Sequence, residues 1–200
     1  MSSIIMKYLS SLFMIALLIS SCASGDRKPA NHETDTVLVE KPVVKNDSVL
    51  AVEATHRFLS WYKDQLIPLS RINLVDQVPG KNYSVNMDSC RKFISELEQS
   101  GYFTPGYLAE KMKRFEEKKK ALESDPQREG PPYGFEFDQV MLVQDIDSEL
   151  DSLGSFNVAQ TSVSTDTALV DFTLYYEYEF MLVRQNANWL IDRILLVGDE

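Results

Sequence analysis

His56, Cys90 and an acidic run at 145–151 are the residues of this 200-residue chain whose types and spacing could do chemistry. His56 lies in Thr55-His56-Arg57, two residues before Phe58. Paired with a sheet carboxylate such as Asp171 or Asp192 it would serve as a general base. As an ordinary helix residue it would instead be exposed or hydrogen-bonded. His32 falls in a stretch rich in Pro and charge and has no such setting. Cys90 precedes Arg91 and Lys92, which would lower its pKa and favour a nucleophilic thiolate. A lone Cys in a helical pattern is more often a small core residue. Asp145-Ile146-Asp147-Ser148-Glu149-Leu150-Asp151 has the acid rhythm of calcium loops. Leu150 stands at the sixth position, where such a loop needs Gly, and Phe156 stands at the twelfth, where it needs an acid. A solvated acidic loop is the expected state. No phosphate-cradling Gly loop or serine elbow is present. No catalytic residue, metal ligand or cofactor is assigned.

Six aromatics, Phe58, Trp61, Tyr62, Tyr107, Phe172 and Tyr176, recur at helical or strand spacing. They are candidates either for the core or for the lining of a small-molecule pocket.

Charge narrows the partners. The chain carries 20 basic and 30 acidic residues, a net charge of -10. Nucleic-acid binding needs a basic face and is not expected. Between Arg128 and Arg184 there is no Lys or Arg, while 11 acids fall in the same interval. Such a field favours a cationic partner, chiefly through association rate; its other use is to keep the domain soluble. Two Cys and two His exclude a disulfide scaffold or a Cys/His zinc cluster.

The first 21 residues hold one charge, Lys7, followed by the apolar run Leu12–Ile19. That run is too short to span a bilayer and reads as a secretory signal. Ile19-Ser20-Ser21-Cys22 resembles the lipobox of bacterial lipoproteins. The resemblance implies lipidation at Cys22 after removal of residues 1–21, and membrane attachment through that lipid. Ala23 in place of an inner-membrane-retaining Asp points to the outer membrane, on its periplasmic or surface face.

The elements that must position these residues follow from composition and period. Residues 23–47 contain no aromatic residue, whereas 19 follow from Ser48 onward. A flexible tether over 22–47 and one α+β domain over 48–200 are expected. The tether would span about 28 Å on average. Val37-Leu38-Val39 and Val43-Val44 offer a short edge strand as the alternative. Leu50, Ala54, Phe58, Trp61, Tyr62 and Gln65 predict an amphipathic helix capped near Asn46–Ser48 and ending before Pro68. Residues 69–85 read as a loop around Pro79-Gly80. A second helix starts near Asn86 or Asp88 and stops at Gly101. Thr104-Pro105 starts a third, with Leu108, Met112, Phe115 and Leu122 inward and the charges of 111–120 on a solvated face. Pro126–Pro132 breaks the helical half. Thereafter the period is two, weakly at Phe156–Ser162 and clearly on the even positions from Ala168 to Leu182. A two-residue hairpin there would invert the parity, so one long strand or an odd-length loop is expected. Gln185–Asn188 is a turn, and Trp189–Leu196 the last strand.

Helices first and an antiparallel sheet last give the α+β class. Phe58-Leu59-Ser60-Trp61-Tyr62, Gly101-Tyr102-Phe103 with Tyr107-Leu108, and Trp189-Leu190-Ile191-Asp192-Arg193-Ile194 together resemble lipoproteins of unknown function with a nuclear transport factor 2-like (cystatin-like) domain. The resemblance covers roughly residues 48–197. It implies a curved sheet wrapped around the first helix with a cone-shaped cavity between them. Asp138, Gln144 and Asp145 resemble the acidic segment such lipoproteins place between helices and sheet, and no role follows from that. It leaves two functions open: a membrane-tethered binding module for a small molecule or a protein, and an enzyme of hydrolase, isomerase or dehydratase type using the cone.

Overall fold

The computed structural model describes residues 46–198, all within one compact unit. Cys22, the signal segment and all but the last two residues of the expected tether lie outside the described residues. Helix α1 (Asp47–Ser70) is capped by Asn46, whose side chain accepts from the Val49 N–H. It runs through Pro68 instead of stopping before it. Pro costs one main-chain bond there, but only in the final turn, where buried Leu69 anchors the helix and accepts from the Ile72 N–H. The expected loop at 69–85 contains a two-residue strand pair, β1 (Val75–Asp76) with β2 (Ser84–Val85), held by burial of both valines.

Helix α2 (Met87–Ser100) begins at the Asn86 cap and ends at Gly101, whose φ of 71° suits a residue without Cβ. Helix α3 (Pro105–Ser124) follows with Thr104 as cap. The acidic run is not a loop. It forms the short helix α4 (Ile146–Asp151), because Asp145 accepts from the Ser148 N–H and hydroxyl while Leu150 turns inward. The Ser148 bonds hold the exposed Asp145 carboxyl below the ordinary range.

Four strands complete the chain: β3 (Asn157–Val163), β4 (Thr167–Thr173), β5 (Glu177–Gln185) and β6 (Asn188–Val197). They form one antiparallel sheet in chain order. The even-parity stretch resolves into two strands joined by Leu174-Tyr175-Tyr176. Three loop residues keep Phe172 opposite Tyr178 and Val170 opposite Phe180 on one face. Glu149 of α4 is buried and accepts from the Tyr175 and Tyr176 N–H groups, fixing that loop. Helix α1 crosses the sheet against β3, β4 and β6. Helices packed on a four-stranded antiparallel sheet confirm the α+β class.

A bulge in β6 leaves Asp192 unmatched between Ile191 and Arg193. There Ile191 exchanges hydrogen bonds with Tyr102 and Thr104, so the chain before α3 covers the sheet edge. Asp192 accepts from the Thr104 hydroxyl at the start of α3. This places α3, and the segment packed on it, at a fixed height beside the sheet.

Candidate functional site

The space between α1 and the sheet is filled. Phe58 is fully buried and its ring meets Phe180 at 5.8 Å and Phe103 at 5.2 Å. Phe172 stacks on Tyr178 at 5.4 Å and meets Phe180 at 4.8 Å. Where the resemblance implies a cone-shaped cavity, aromatic rings pack instead.

A wide opening lies elsewhere, at the C-terminal end of α1. A groove of about 470 Å³ runs between α1, the chain leading into β1, the irregular segment 132–139 and the start of α4. Tyr62, Leu66, Ile72 and Phe93 give it apolar walls, and Ile67 and Phe137 stand at it 63% and 53% exposed. Among the described residues, Glu136, Asp138 and Asp147 are the charged ones that line it, with no Lys or Arg.

Asp138 is the structural centre of the groove wall. One carboxylate oxygen accepts from the Tyr62 hydroxyl at 2.7 Å, and the other from the N–H groups of Val140 and Met141 at 2.9 and 2.6 Å. Burial pushes the carboxyl above its ordinary range, and the hydrogen bonds only partly offset that. The Tyr62 phenol is also raised, chiefly by burial and then by the Asp138 charge. Leu142 closes this turn at φ 64°, with its N–H bonded to the Asp138 carbonyl. A bulky residue in the left-handed region is strained, and strain of this kind concentrates at functional loops.

Behind Asp138, α3 presents a second polar surface. Lys111 is buried, and its ammonium donates to the Gln139 carbonyl while lying 5.4 Å from the Tyr107 ring centre. Lys118 donates to Gln139 Oε1 at 2.5 Å. Burial, with help from Arg114, brings each lysine down to about 8. The solvated face expected over 111–120 therefore holds only in part: Lys111 turns inward and Lys118 is half-buried, whereas Lys113 and Lys119 pair with Glu117 and Glu123 in the open.

The six aromatics do not line one pocket, although Phe58, Trp61 and Tyr62 touch one another on α1. Tyr62 lines the groove, and Tyr107 lines a separate 120 Å³ cleft beside α3. Phe58 and Phe172 lie in the core, Trp61 is half-buried against Tyr102, and Tyr176 is 47% exposed on the β4–β5 loop. His56 is exposed, edge-on to Phe156 at 5.3 Å, and no hydrogen bond joins it to Asp171 or Asp192. Cys90 is fully buried; desolvation outweighs Lys118 and Arg91 and pushes its thiol up to about 11, the opposite of an activated nucleophile. Asp138 was visible in sequence only as part of an acidic segment. The Lys111–Gln139 contact had no signal beyond a Lys falling on the apolar stripe, three residues after Leu108.

No helix among the described residues is long and apolar enough to cross a membrane. No protein-family model, curated protein or solved structure matches this chain.

Proposed function

We propose that the protein is a lipid-anchored binding module of the cell envelope, non-catalytic, that captures a small apolar molecule bearing a cationic group. The observation that carries this is the groove at the end of α1: about 470 Å³, apolar walls, three carboxylates and no cation in its lining. Ligand sites of this kind are apolar clefts of about 300–1,000 Å³ with a few placed polar groups. Exposed Ile67 and Phe137 extend the apolar surface at its edge. The finer fold belongs to the same proposal: α1 against a four-stranded meander supports a cystatin-like arrangement with its core filled and its binding site displaced.

Phenethylammonium is a suitable probe. It should bind saturably, and phenethyl alcohol, its neutral counterpart, should not. The double variant Glu136→Gln/Asp147→Asn should lose about tenfold in affinity, the equivalent of about 1.4 kcal/mol. Equal binding of the alcohol, or unchanged binding by the variant, would defeat the reading.

The anchor is tested separately. Cys22→Ser should move the protein from the outer-membrane fraction to the soluble one, since several acyl chains hold a protein where none remains. A variant that stays membrane-bound and identically processed overturns lipidation at Cys22.

A further inference from the structure

On the far side of Asp138 from the groove lies a cavity of about 240 Å³ between α3 and the segment 134–142. Lys111, Arg114 and Lys118 all line it, spaced three and four residues apart on one face of α3. Three cations on one wall are unexpected in a chain of net charge -10. Lys111 is removed from water and Lys118 partly so. Lys111 is 7% exposed, and the Lys118 stem passes so close to Gly134 that a Cβ there would sit 3.2 Å from it.

Buried ammonium groups are normally paired, because desolvating an unpaired charge costs several kcal/mol per ion. Among the described residues no carboxylate lies within ion-pair distance of Lys111 or Lys118. Asp138 faces Lys111 and Glu136 faces Lys118 only at longer range. Glu117, the cavity's other acid, is engaged by Lys113 at 3.7 Å, and Arg114 reaches Glu110 at 3.5 Å. Both lysines instead converge on the neutral Gln139, one on its carbonyl and one on its side chain. The remaining wall is apolar: Phe115, Phe137 and Leu142.

We propose that this cavity binds a small organic anion, a carboxylate with an apolar body, whose charge is neutralised by Lys111, Lys118 and Arg114. An anion supplies the missing counter-charge, and the ring-lined wall accepts the rest of the molecule. The volume equals that of about eight liquid waters, which limits the ligand to a single ring or a short chain. The strained Leu142 lies on the same wall, and the segment it closes separates this cavity from the acidic groove. The two sites thus take ligands of opposite charge on opposite sides of Asp138.

Benzoate titrated into the full chain, with benzamide as its uncharged isostere, tests the assignment. Benzoate should bind saturably and raise the melting temperature, as a ligand specific to the folded state must. Benzamide should do neither. Lys111→Met/Lys118→Met should lower benzoate affinity at least tenfold, with far-ultraviolet circular dichroism reporting that the fold is kept. Should the double variant not fold, Lys118→Met alone carries the test, because Lys118 lines the cavity and is only partly buried. Asp147→Asn, which alters only the groove, should leave benzoate binding unchanged. Absent saturable binding, equal binding of benzamide, or benzoate binding indifferent to the folded lysine variant would each overturn the proposal.

Discussion

Phe58→Ala is expected to cost about 3–5 kcal/mol, the usual penalty for emptying a core aromatic site. The ring has no exposed surface and lies within 6.2 Å, centre to centre, of Trp61, Tyr62, Tyr102, Phe103 and Phe180. Those neighbours come from α1, from the segment before α3 and from β5, so none can close the void without moving its own element. A domain of this size has a total stability of about 5–15 kcal/mol, so the variant keeps only part of it. The midpoint of thermal unfolding should fall by roughly 6–20 °C. Tyr176→Ala, at the exposed β4–β5 loop, should change stability by less than about 0.5 kcal/mol. Aromatics that share a sequence pattern then separate into core and surface by measurement. A Phe58→Ala protein that melts with the wild type would mean that the ring lines an adaptable pocket after all.

That contrast shows what the pattern of residues carried and what it did not. Capping side chains act locally, so Asn46, Thr104 and Gly101 marked the helix ends within a residue or so. Parity is equally local: a three-residue loop was one of the two solutions allowed by the even-numbered apolar positions, and it is the one adopted. Pro68 misled because its cost depends on how firmly the last turn is held, and that is decided by the burial of Leu69 from outside the helix. Glu149 misled in the other direction. An acid in an acidic run looks solvated until a loop 26 residues later offers it two N–H groups. The candidate site was the least legible. It is built largely on 132–145, an irregular segment without period, and its key contacts link Tyr62 to Asp138 and Lys111 to Gln139 across 76 and 28 residues. Spacing arguments have no reach over such separations.

Removal of the Asp138 side chain should be the most damaging change within the site. Asp138→Ala leaves the Tyr62 hydroxyl and the Val140 and Met141 N–H groups without acceptors, and takes from Lys111 the nearest anion. Unsatisfied buried donors cost about 1–3 kcal/mol each, less where water reaches them, so a loss of about 3 kcal/mol is expected. Asp138→Asn should lose about 1 kcal/mol or less. Its carbonyl can still accept from the two N–H groups, and its amide can donate to the Tyr62 oxygen. The two variants differ further in pH dependence. Burial raises the folded-state pKa of Asp138 above its unfolded value, with Tyr62, Met141 and Val140 opposing. A group raised in this way contributes stability that is fully present below the unfolded pKa and is lost as pH rises through the folded pKa. The wild type should therefore lose stability from mild acid towards neutrality, and Asp138→Asn should show a shallower decline over that range. Glu149, raised for the same reason, keeps the remaining slope in both proteins. Urea midpoints measured at several pH values decide the matter. If Ala and Asn cost the same, the carboxylate is not organising the segment through its acceptors. If the Asn variant keeps the full wild-type slope, Asp138 is not the group that titrates, and the wall between the two sites is held by packing alone.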